Sequence, residues 1–248
     1  MKHLLIVALL LAVAIPSYAQ RWQWPDNPKN LTVLPKTTGG RDLQRIMFGF
    51  TGGLGVRCNF CHVGEEGKDF SEYDFVSDAK PEKNEARLML QMMNAVNTQY
   101  LAKLGVDSAS SMKVSCITCH HGNSKPVMLE DKLKGIFDRF GIDSTIHQYR
   151  ALREQYYGGF TYDFKEGTLV RLADEISGDA SKSDAAIAVL KLNIELYPNF
   201  SYSYVRLGGL YETAGKTQEA IDSYSKAVAL DPRNGMARMR LERLQNKK

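Results

Sequence analysis

The sequence predicts a mainly α-helical chain in two parts: a first half organised around a recurring cysteine pattern and a second half of helical repeats. Three observations predict this. Apolar residues recur at helical spacing over several segments. The stretch Val56-Arg57-Cys58-Asn59-Phe60-Cys61-His62 recurs once, as Val114-Ser115-Cys116-Ile117-Thr118-Cys119-His120. Beyond Pro126, alternating charged and aliphatic residues carry a period of about 34 residues.

The N-terminus has a basic start at Met1-Lys2-His3, an apolar run from Leu4 to Ile15, and the small-x-small end Ser17-Tyr18-Ala19. This predicts a cleaved secretory signal over 1–19 and a mature protein in the periplasm or on the extracellular face. The apolar run is too short to span a bilayer, and no other stretch is long and apolar enough. At 248 residues, with 44% hydrophobic and 24% charged, the chain has the length of two domains and a soluble composition. Its formal charge of +4 is too near neutral to argue for nucleic acid or a membrane surface as a partner.

In each copy of the recurring stretch, two thiols three positions apart are followed at once by an imidazole, the C-x-x-C-H signature of covalent c-type haem attachment. The sulfurs of Cys58 and Cys61, and of Cys116 and Cys119, can reach the two vinyl groups on one porphyrin edge, and His62 and His120 then turn onto the iron. Zinc knuckles or a redox dithiol would use the cysteine pairs but leave the following histidines unexplained. Within a pair the cysteines are too close for a comfortable disulfide, and the two motifs use all four cysteines. Two covalent haems are therefore expected, and export agrees with them.

Residues 20 to 40, with Trp22, Trp24, Pro25, Pro28 and Pro35, read as extended and irregular, the tryptophans covering the haem region. From Arg41 a helix is predicted, with Leu43, Ile46, Met47 and Phe50 on one stripe and Gly52-Gly53 ending it. A haem iron held by one His has a sixth position that Met or His fills in electron carriers. Met47 is placed to fill it opposite His62. Residues 63 to 80 read as a surface loop. Pro81 opens a second helix, with Glu82 and Glu85 at its positive end, running to about Lys103. Met89, Met93, Val96 and Tyr100 share a face with Met92 beside it, so Met89, Met92 and Met93 are all candidates for the second iron.

The order of helix with Met, loop, C-x-x-C-H, surface loop, helix with Met, loop and C-x-x-C-H-x-Gly resembles the cytochrome c subunit of photosynthetic reaction centres over roughly residues 29 to 127. The resemblance is closest at Leu54-Gly55-Val56-Arg57-Cys58 and Met89-Leu90-Gln91-Met92-Met93-Asn94-Ala95-Val96-Asn97, and lies with the family's two-haem relatives. It implies Met47 and Met89 as distal ligands, with Met92 and Met93 as alternatives because the connection from Met89 to Cys116 is longer than the family's. His121 stands where the family commonly has Arg, and is read as a surface or propionate contact.

In the second half, Tyr204, Leu207, Gly208, Tyr211, Ala220, Tyr224, Ala227 and Pro232 occupy the spaced positions of a tetratricopeptide unit beginning at Ser201. Ala186, Leu190 and Pro198 repeat its second part, and Thr145, Tyr149 and Leu152 do so more loosely. A last helix, Met236 to Gln245, closes the stack. His147 falls on an outward position. Such units bury their apolar side on their neighbours, and this stack either docks a partner or braces the haem region.

The fold class is thus mainly α, a dihaem c-type cytochrome domain followed by a short α-helical tetratricopeptide solenoid. Its parts are a signal over 1–19, the haem domain over 20–127, a connecting helix over 128–140 and repeats over 141–248. The expected function is to carry single electrons between a redox-protein donor and acceptor, such as those of a membrane-bound electron-transfer complex, without catalysis. A haem enzyme such as a dihaem peroxidase, or an adaptor dominated by its repeats, is the alternative.

Overall fold

The computed structural model describes residues 22–104 and 112–246, and they are mainly helical. The predicted signal lies outside the described residues. They form two compact units, 22–49 with 57–104 and 50–56 with 112–246. The second cysteine motif groups with the repeats in the second of these units.

Helix α1 spans Gly40–Leu54 and α2 spans Pro81–Ala95, with Pro81 at its first position, where its missing N–H costs nothing. Helix α1 does not end at Gly52-Gly53 as predicted but runs through both. Gly53 is there for close approach, since a Cβ on it would stand 2.8 Å from Cys116 Cβ. The stop comes at Gly55, which has φ +64, the left-handed conformation glycine adopts without penalty. The helical run that α2 opens reaches Leu104, close to the predicted end near Lys103, but it is not α-helical throughout. After Ala95 the backbone widens into a π turn over Val96–Tyr100 and tightens into a 3-10 turn over Leu101–Leu104. Thr98 contributes to this, because its hydroxyl donates to the Asn94 carbonyl at 2.8 Å and competes with the regular ladder.

In the first unit, only Leu31 and Leu43 among the described hydrophobic residues are buried. Aromatic rings and a polar hub order the rest. Trp22 packs on Phe75 at 5.2 Å and on Phe70 at 6.3 Å, and Trp24 packs on Phe48 at 5.8 Å, the covering role expected of both. The surface loop 63 to 80 is held at Asp78, which accepts from Asn30 at 2.8 Å and pairs with Lys83 at 3.2 Å and Arg87 at 3.0 Å. Lys83 also donates to the carbonyls of Phe75, Val76 and Ser77.

The second unit carries the short helix α3, Cys116–His120, then α4 Leu129–Tyr156, α5 Glu166–Ser177, α6 Ser183–Leu196, α7 Ser201–Thr213, α8 Thr217–Leu230 and α9 Gly235–Gln245. Helix α4 bends at Gly141, where φ is 77 and ψ −174. Helices α5/α6 and α7/α8 are the paired helices of the repeats, and α9 closes the stack as predicted. One hydrophobic cluster runs from Leu129 and Leu133 through Tyr149, Leu172, Ala186 and Leu190 to Leu207. A second gathers Val205, Ala220, Tyr224, Ala227, Ala237 and Leu244. Each fully buried leucine contributes roughly 1.5–3 kcal/mol. The spaced residues of the repeat have direct reasons: a Cβ on Gly208 would stand 2.9 Å from the Tyr224 ring, so the small residue admits the aromatic one. Buried Glu130 accepts from Arg171 at 2.6 Å and ties α4 to α5.

Candidate haem-attachment sites

Each cysteine motif folds as a tight turn that puts its two thiols on one side, as residues three apart in a helical turn must lie. In the first, the Cys58 carbonyl accepts from the amides of Cys61 at 3.3 Å and His62 at 3.0 Å. In the second, the Ser115 amide donates to Thr118 Oγ1 at 3.0 Å at the start of α3. The amide of His121 donates to the Ile117 carbonyl at 3.0 Å as the chain leaves it.

None of the four cysteines is paired in a disulfide. Burial raises the pKa of Cys61 and of Cys116 above that of an ordinary thiol. A redox or nucleophilic cysteine needs the opposite shift. Among the described residues, no three His, Cys, Asp or Glu side chains gather as a metal site. An iron already held in a porphyrin asks for a single imidazole from each motif, and that is what each motif offers.

His62 is half-buried, its ring edge-on to Phe75 at 5.0 Å. Desolvation, helped by the charges of Lys83 and Arg87, lowers its pKa to about 4. At neutral pH the ring is therefore uncharged and keeps the lone pair a metal requires. Its buried Nδ1 has no hydrogen-bond partner among the described residues. His120 is held differently. Its Nδ1 donates to the Asn123 carbonyl at 2.9 Å, which leaves Nε2 available to a metal and makes it more basic. These donor sets fit a covalently attached haem.

His121 is exposed in the left-handed region at φ 51, its Nε2 on the Thr118 carbonyl at 2.8 Å. That is the surface position expected of it. His147 is also exposed, as expected. Met47 is half-buried on α1. On α2, Met93 is half-buried, while Met89 is 40% and Met92 52% exposed. Sequence reasoning missed Asn123, Tyr162, Phe160 and the Asp78 hub. Asn123 lies three residues after His120 and could have been suspected. Tyr162 carries no sequence signal, since it comes from the loop between α4 and α5.

Residues 36–138 match the model of the family described as the photosynthetic reaction centre cytochrome c subunit, and residues 201–234 match the tetratricopeptide repeat. Cytochrome c-554 of Chloroflexus aurantiacus is 32% identical over 113 residues, which cover 45% of this chain. The photosynthetic reaction center cytochrome c subunit of Rubrivivax gelatinosus is 28% identical over 111 residues, covering 39% of this chain. The chain spans only 24% and 28% of the length of these two relatives. Among solved structures, the first repeat domain of Spaghetti (RPAP3) bound to an HSP90 peptide aligns at TM-score 0.34 and 19% identity, covering 48% of this chain and 89% of that one. The second repeat domain of human RPAP3 in complex with an HSP70 peptide aligns at 0.33 and 19%, covering 47% and 92%. The resemblance read from the two motifs and the helical methionines is thus found again by direct comparison.

Proposed function

We propose that this chain is an exported dihaem c-type cytochrome that passes single electrons between redox proteins, its repeats bracing the second haem. The observation that carries this reading is the pair of C-x-x-C-H turns that uses every cysteine of the chain. The likeness of residues 36–138 to a family of electron-transfer cytochromes supports it. A haem iron supplies the one-electron Fe(III)/Fe(II) couple.

The chain's own residues do the rest. Cys58 and Cys61 would anchor one macrocycle and Cys116 and Cys119 the other, and His62 and His120 would be the proximal ligands. Met47 would hold the first iron from its other side, and by the resemblance Met89 would hold the second, with Met92 and Met93 as alternatives. Thioether ligands favour the ferrous state and raise the potential relative to two histidines. Were these residues to hold both sides of each iron, no position would be left for a substrate, which would separate a carrier from a haem enzyme. Bracing by the repeats is supported by the contacts of the α4–α5 loop with the turn after His120. The donor and acceptor are redox proteins, and a membrane electron-transfer complex is the setting that one relative's name supplies.

The absorption spectrum of the oxidised, haem-loaded protein tests the carrier role. Two low-spin, six-coordinate haems with the thioether band are expected. A resting five-coordinate, high-spin haem would overturn the carrier reading and favour an enzyme.

A further inference from the structure

The loop 157–165 joins α4 to α5 and lies against the turn that follows the second motif. Asn123 uses both of its polar ends there: its carbonyl accepts from His120 Nδ1 at 2.9 Å, and its side-chain amide donates to the Tyr162 hydroxyl at 2.5 Å. Gly122, between them, has φ +75, and a Cβ on it would stand 3.5 Å from the Phe160 ring and 3.6 Å from Thr161 Oγ1. Three consecutive residues of the loop thus approach the turn.

Tyr162 is itself rigidly seated. It is 7% exposed, edge-on to Tyr156 at 5.4 Å and to Phe164 at 6.4 Å, with the Lys132 ammonium 5.7 Å from its ring centre. Phe164 belongs to the main cluster of the repeat domain, which also buries Leu133, Tyr149 and Leu172. The hydroxyl is therefore fixed by the packing of the repeats, and through Asn123 it fixes the carbonyl that His120 bonds.

We infer that Tyr162 is a positioning residue for His120, through which the repeat domain sets the orientation and basicity of that imidazole. This rests on the reading of His120 as an axial ligand. A carbonyl held on Nδ1–H strengthens Nε2 as a donor and so favours the ferric iron. Loosening Asn123 weakens that bond and moves the potential of the second haem upward. The proposed ligand of the first haem, His62, has no hydrogen-bond partner on its buried Nδ1, so that haem is expected to keep its potential.

The test uses the full-length, haem-loaded protein with Tyr162→Phe, Asn123→Ala, the double variant, and Tyr156→Phe as a control in the same ring cluster. Haem count by mass comes first, and redox titration with EPR follows. Each single variant is expected to shift one haem by up to about tenfold in its oxidised-to-reduced ratio, about 59 mV for one electron, with altered g-values for that haem alone. The double variant is expected to shift no further than the larger single, since the two groups act in series. Tyr156→Phe is expected to leave both potentials in place. Unchanged potentials and g-values in both single variants would overturn the role of Tyr162, as would an equal shift from Tyr156→Phe. A wild-type chain without two haems would instead overturn the proposed function.

Discussion

The amide of Gly122 donates to the carbonyl of Gly53 at 3.0 Å, which fastens the turn after the second cysteine motif to the last turn of α1. The approach is close on both sides of that bond. A Cβ at Gly53 would stand 2.8 Å from Cys116 Cβ and 3.1 Å from the Ile117 nitrogen, and one at Gly55 would stand 2.0 Å from the Gly122 oxygen. Gly53→Ala is therefore expected to lower stability by about 1–3 kcal/mol, the usual cost of overpacking, and to reduce haem retention at the second motif. Thermal melting and haem content check this. A variant as stable as wild type with both haems would show that the contact is not tight in solution.

The sixth ligands are open to direct substitution. Met47→Ala is expected to turn one haem high-spin and remove its thioether band, and Met89→Ala to do the same to the other. Met92→Ala, at an exposed position, is expected to leave both spectra unchanged. Met93 is the more buried neighbour, so a loss of ligation in Met93→Ala but not in Met89→Ala would reassign the second iron. Absorption and EPR spectra of the four variants decide among them.

Asp78 gives a pH dependence whose sign follows from its partners. Hydrogen bonds from Arg87, Lys83 and Asn30 lower its pKa from 3.8 to about 2. Its stabilising effect is therefore complete above the ordinary carboxylate range and is lost as pH falls through about 2. Asp78→Asn is expected to be less stable than wild type at about pH 6, with the difference shrinking to nothing near pH 2. Denaturant melts across that range check it. A difference independent of pH would mean that Asp78 acts through packing rather than charge.

The chemistry-bearing residues were legible because they are local in the sequence. Two thiols and an imidazole in five positions need no tertiary information, and the helical stripe carrying Met47 reads from spacing alone. The repeat was legible because its units bury the same small and aromatic positions, as Gly208 and Tyr224 show. What the sequence hid is non-local. Gly52-Gly53 reads as a helix stop, yet Gly53 is a contact with Cys116, which lies far along the chain. The end of α2 at Ala95 reflects Thr98 bonding back to Asn94, where the pattern of apolar residues continues. Tyr162 could not be assigned to the haem region because only the folded loop brings it to Asn123.

The grouping of residues 112–246 with 50–56 bears on the repeats as a brace. A chain ending near Met128 loses Tyr162 and Phe160 and the buried leucines of α4. It is expected to keep the spectrum of the first haem while the second loses its ligation and the melting temperature falls. Spectra and melting of the truncated protein check this. If both haems keep their spectra and potentials and the melting temperature holds, the repeats do not brace.

The central claim is that both motifs carry haem, and the mass of the intact mature protein tests it most directly. The protein is produced with an export route and haem-attachment machinery, and its mass is compared with that of Cys58→Ser/Cys61→Ser and Cys116→Ser/Cys119→Ser variants. The account predicts two covalent haems in the wild type and one in each variant. A wild-type mass with one haem or none would contradict it.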